Sequence, residues 1–140
     1  MDLRRAQDSD AGALTQLIDA AYQPYRDAGV ALPDVSGGIA EAISAGEVWV
    51  IGAPVQGVLM IRLTPPNAHL MNVAVATSAK GQGIGGVLIR HGVALAQEAG
   101  CTAVDLATHR DLADNIALYT HLGWQECGRD GMRVMMTRAL

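Results

Sequence analysis

The residues best suited to chemistry form one short run, Lys80-Gly81-Gln82-Gly83-Ile84-Gly85-Gly86, four glycines behind the chain's only lysine. The run lies between a Val- and Met-rich segment and a stretch with helical periodicity. Side-chain-free positions there let several backbone N–H groups converge on an anion at the positive end of a helix. A phosphate loop of the G-x-x-x-x-G-K-[ST] type is excluded, because no Lys-Ser or Lys-Thr pair follows. The pattern G-x-G-x-x-G is formally present at Gly81, Gly83 and Gly86, with Asp105 roughly twenty residues further on. That fingerprint belongs to the first turn of a parallel βαβ array, whereas three strands of antiparallel character precede it here and too little chain follows for such an array. The plain alternative is a glycine-rich turn that only joins a strand to a helix.

A second group lies downstream. Asn115 and Tyr119 are four residues apart in a helical segment and so share a face. Their structural alternatives are a helix-start residue for Asn115, beside Asp114, and a core ring for Tyr119, between Leu118 and Leu122. His69 stands on a strand, two residues before Met71 and on the same face. Cys101 and Cys127 lack the spacing of a zinc knuckle or a redox pair, and both are expected to be buried, structural thiols. No metal site is expected.

The elements that would carry these residues follow from periodicity. Residues 2–7 read as a short strand. Ser9 or Asp10 can cap a helix whose apolar positions are Ala13, Leu14, Leu17, Ile18 and Ala21. A second helix is expected from about Asp34 to Ala45. Residues 47–52, 55–63 and 69–76 form a meander, broken at Gly52–Pro54 and at Thr64-Pro65-Pro66-Asn67. After the glycine run comes a helix ending at Gly100, a fifth strand over 103–109, a fourth helix over about 113–122, and a closing hairpin turning near Asp130-Gly131. Trp49 and Trp124 read as core residues.

In this order the segments resemble a known family. The string LMNVAVATSAKGQGIGGVLI is similar to motif A of the GNAT superfamily of acetyltransferases, with Lys80, Gly83 and Gly85 at the positions of its [QR]-x-x-G-x-[GA] loop. HRDLADNIALYTHLGW resembles motif B through Asn115, Tyr119, Gly123 and Trp124. The resemblance implies one domain over residues 1–140 with a mixed α-β (α+β) fold. Its three layers would be a central, mostly antiparallel twisted sheet of about six to seven strands flanked by about four helices.

It also implies roles. The pyrophosphate of acetyl-CoA would sit on Lys80, Gly81, Gln82, Gly83, Ile84, Gly85 and Gly86. The pantetheine arm would pair with backbone at Val73, Ala74 and Val75, and Asn115 would contact the cofactor. Tyr119 would give a proton to the departing sulfur. Relatives often carry a Glu where this chain has Met71, so the base for the acceptor amine would be His69, with Asp34 and Glu41 as other options or water in its place. Gly86 stands where many relatives have Arg or Lys, which implies weaker cofactor binding. Tyr22, Tyr25 and Asp34 would border the acceptor.

The expected activity is transfer of an acetyl group from acetyl-CoA to an amine of a small molecule or protein by direct attack in a ternary complex. The alternative is an inactive CoA-binding sensor or partner module, which Met71 favours. A net charge of -4 with scattered basic residues argues against nucleic acid. No apolar run is long enough for a membrane span, and the polar first ten residues lack a secretory core, so a cytoplasmic location is expected. Oligomeric state stays open, with a homodimer as one option.

Overall fold

The computed structural model describes residues 2–32 and 36–140. Among them are seven strands and four α-helices, and the strands lie in one sheet in the order β1-β2-β3-β4-β5-β7-β6. The mixed α-β architecture expected from the sequence is therefore present. By contact the chain forms two compact units, residues 1–61 with 72–90, and residues 62–71 with 91–140.

The first unit holds β1 (Leu3–Arg5), β2 (Val48–Ile51), most of β3 (Gly57–Thr64), the end of β4 (Asn67–Val75), α1 (Ala11–Asp27), α2 (Ile39–Ser44) and the start of α3 (Ile84–Glu98). β1 runs antiparallel to β2 with Leu3 opposite Ile51, and β2 antiparallel to β3 with Val48 opposite Met60. Alternation sends Val48, Val50, Val58 and Met60 to one face, where they meet Leu14 and Ile18 of α1 and Ile39, Ala42 and Ile43 of α2. Each large side chain fully buried there contributes about 1.5–3 kcal/mol relative to exposure. The helix-cap residue is Asp10, but its carboxylate turns back, accepting from Gln7 N–H at 2.7 Å and from Arg4 Nη1 at 2.8 Å. The hydrogen bond from Arg4 and that backbone N–H hold the Asp10 carboxyl below its usual range. α1 runs on through Pro24. Trp49 corrects the core assignment: it is half-buried, with the Arg5 guanidinium 5.1 Å from its ring centroid.

In the second unit the start of β4 pairs parallel with β5 (Ala103–His109), from Asn67 opposite Ala103 to Leu70 opposite Leu106. β5 pairs antiparallel with β7 (Arg133–Ala139), which pairs antiparallel with β6 (Gln125–Asp130). Val104, Leu106, Val134 and Met136 are buried on one face. Trp124 is only 1% exposed and its Nε1–H donates to the Val104 carbonyl at 3.1 Å, which satisfies the indole where it is dry. Cys101 is buried as expected, but Cys127 is exposed, because it lies at a register shift between Glu126 and Gly128 on the outermost strand. His91 on α3 is half-buried; burial pushes its imidazole pKa down, and the Glu98 carboxylate offsets this only in part.

Candidate functional site

The glycine run begins as a strand end and a short 3-10 turn, Thr77–Ala79, deliver Lys80, and it passes into α3 at Ile84. Gly81 and Gly83 have φ of +81° and +76°, a left-handed conformation that glycine adopts at no steric cost. The first α3 bond is from Val87 N–H to the Gly83 carbonyl at 3.1 Å. Among the described residues, no carbonyl of the chain accepts the N–H groups of residues 81 to 86. A Cβ placed on Gly81 or Gly83 would meet nothing within 4 Å, so the space over these donors is open. A row of free N–H groups at a helix start, with room beside them, fits a phosphate.

Two cations flank that row. Lys80 is exposed just before it. Arg90 of α3, one turn after Gly86, folds back so that its Nη1 lies 3.3 Å from where a Gly86 Cβ would stand. At Gly86, where the sequence offers no side chain, the Arg90 guanidinium from four residues on lies alongside. Spacing of four on one helix face was the available signal for Arg90.

α3 can approach this closely because Gly57 of β3 has no side chain. A Cβ there would stand 2.8 Å from Ile84 Cγ2 and 2.9 Å from Leu88 Cδ1. Of the residues expected along the pantetheine, Val73 and Val75 are half-buried and Ala74 lies in the α1–α2 core. Tyr22 is part-buried and its hydroxyl donates to Asn72 Oδ1 at 3.0 Å; Tyr25 is half-buried and Glu41 exposed. Asp34 lies outside the described residues.

The second unit carries its own hollow, about 440 Å³, over the face of β4, β5 and β7 opposite its core. His69 and Met71 both border it, together with Asp105, Ala107, Arg133 and Met135; nothing in the sequence connected the polar residues Asp105 and Arg133 with His69. Asp105 Oδ1 accepts from Thr137 Oγ1 at 2.6 Å and Oδ2 from Asn67 Nδ2 at 3.3 Å. In the same unit, Tyr119 of α4 (Ala113–His121) is 7% exposed and meets Trp124 edge-on, ring centroids 5.7 Å apart. Asn115 is half-buried and does not start the helix; the cap position is Leu112, with no side-chain cap bond. Among the described residues no His, Cys, Asp or Glu cluster could hold a metal, and no helix is long and apolar enough to cross a membrane.

Several solved structures share the fold. The PaiA N-acetyltransferase of Thermoplasma acidophilum, solved with coenzyme A, is 14% identical over 99% of this chain and 98% of its own, with a TM-score of 0.87. A GNAT-family acetyltransferase of Listeria monocytogenes is 18% identical over 99% and 94%, TM-score 0.80. The ribosomal-protein-S18-alanine N-acetyltransferase of Escherichia coli is 15% identical over 99% and 92%, TM-score 0.75. No curated protein sequence matches the chain. Residues 13–124, from the first helix through the buried Trp124, match the acetyltransferase (GNAT) family, and the chain belongs to that family.

Proposed function

We propose that residues 1–140 act as one N-acetyltransferase domain that takes acetyl-CoA and an amine. The observation that carries this reading is the row of open N–H groups from Gly81 to Gly86 between the cations Lys80 and Arg90. Gly81, Gly83 and Gly85 hold the pyrophosphate by backbone, Lys80 and Arg90 by charge, and the backbone at Val73 and Val75, beyond the last β4–β5 pair at Leu70, takes the pantetheine amide as an added strand would. When bound, the cofactor supplies an activated acetyl thioester.

The acceptor enters as an ammonium ion. It loses one proton to a base, for which His69 is the candidate, and its nitrogen attacks the thioester carbonyl carbon. The N–C bond forms, the C–S bond breaks, and the proton still to leave nitrogen balances one delivered to sulfur. Tyr119 is the candidate donor to sulfur, its ring held by Trp124, and Asn115 one turn earlier is a cofactor contact. Overall one proton is released per acetyl group moved.

Met71 favours a second reading, a CoA-binding module without catalysis, since that strand position offers no carboxylate. Both readings are tested together. Acetyl-CoA at about 100 times its dissociation constant should raise stability by about 2.7 kcal/mol, while NADH should not. Thiol release with an amine panel then decides between transferase and module. No stabilisation by acetyl-CoA would remove both.

A further inference from the structure

The hollow in the second unit has an ordered floor. His69, Asp105 and Thr137 are cross-strand neighbours, as are Ala107 and Met135, and His109 and Arg133. Residues opposite one another point to the same face. The floor is therefore three rows: a polar row with the Asp105 carboxylate, an apolar row where small Ala107 sits beside Met135 with Met71 at its border, and a row bearing the Arg133 guanidinium. The outer rows are four residues apart along β5, about 13 Å between backbones at 3.3 Å per residue, and both charged side chains can reach inward.

The charges are unmatched inside the protein. Asp105 accepts from two neutral donors, Thr137 and Asn67, and from no cation among the described residues. The Arg133 guanidinium makes no ion pair or hydrogen bond among the described residues; the nearby His109 Nδ1 accepts from Asp111 N–H at 3.0 Å. A carboxylate and a guanidinium held apart by an apolar strip complement a molecule with the opposite pair of charges at its ends.

We propose that this hollow is the acceptor site and that it takes a small amine carrying a carboxylate. The carboxylate pairs with Arg133, the ammonium faces Asp105 and His69, and the apolar middle lies over Ala107 between Met71 and Met135. The inference rests on the acetyltransferase reading above and adds the substrate class. The amine then loses its proton beside His69, and acetyl transfer balances as already written.

The test measures thiol release from acetyl-CoA by the full chain, with free amino acids of differing chain length and the corresponding amino-acid amides, which keep the amine and shape but lack the negative charge. The wild type should prefer acids over amides by roughly 10-fold to 100-fold in kcat/KM, the range of a charge-assisted pair. Arg133→Gln should bring that ratio close to one, and Arg133→Lys should keep part of it, with melting temperature recorded for each. Equal use of acids and amides by the wild type overturns the assignment, as does an acid preference that survives in folded Arg133→Gln. If acetyl-CoA binds but no acid or amide releases thiol, the acceptor assignment falls while the cofactor reading stands. If acetyl-CoA does not bind, both fall.

Discussion

Gly57 lies directly under Ile84: a Cβ on the glycine would stand 2.8 Å from Ile84 Cγ2, closer than real Cβ contacts come. The start of α3, and with it the row of open N–H groups from Gly81 to Gly86, is seated on β3 through this missing side chain. Gly57→Ala should cost about 1–3 kcal/mol, the usual range for overpacking a filled core. Urea unfolding measures it. The loss should shrink in Gly57→Ala/Ile84→Ala, where the colliding branch is gone; equal loss in both backgrounds would mean that α3 is not seated this way.

Gly83 tests the loop by a different route. Its φ of +76° makes any Cβ strained, yet the space around that Cβ is open within the protein. Gly83→Ala should therefore cost about 1–2 kcal/mol of stability, from the left-handed backbone alone. The added methyl occupies room assigned to phosphate, so calorimetry should also find weaker acetyl-CoA binding. Unchanged affinity would displace the phosphate from this glycine.

Arg90 and Gly86 form an exchangeable pair in the cofactor reading. Arg90→Gln should weaken acetyl-CoA binding by about 10-fold, the lower end for a charge-assisted contact. Gly86→Arg in the Arg90→Gln background should recover much of that affinity by returning the cation one turn earlier. Acetyl-pantetheine, which lacks phosphates, should be indifferent to both changes, as judged by kcat/KM.

Tyr119→Phe keeps the ring against Trp124 and removes only the hydroxyl. Loss of a positioned general acid should lower turnover by roughly 10²–10⁴-fold, with the acetyl-CoA dissociation constant little changed. A thioester with a better leaving thiol should recover part of the rate. Full turnover by Tyr119→Phe would leave Tyr119 as a packing residue.

His91 sets an acid limit on stability. Burial lowers its pKa in the folded protein, so the folded state binds its proton less readily than the unfolded chain does. Its contribution is fully present above the unfolded value of about 6.5 and is lost as pH falls from there through the lower folded pKa. His91→Gln should flatten the urea midpoint on the acid side of pH 6.5, and an unchanged slope there would assign the acid sensitivity to other groups.

What the sequence determined by itself was local. The helical period of α1 and α3, the β5 strand at 103–109, the hairpin turn after Asp130 and the glycine run are written in neighbouring residues, because dihedral preference and side-chain period act over a few positions. The family followed from the order of those elements. Tertiary structure decided which strands meet. β7 lies between β5 and β6, and β5 runs parallel to β4, pairings between distant segments that no local period encodes. That non-local register brings Arg133 to the strand beside Asp105 and leaves Cys127 exposed at a register shift. It decides equally that Gly57 lies beneath α3. Burial and charge pairing are sums over neighbours in space, so the Arg133 guanidinium and the Asp105 carboxylate that border the hollow of the second unit could be counted along the chain but not brought together until the sheet was formed.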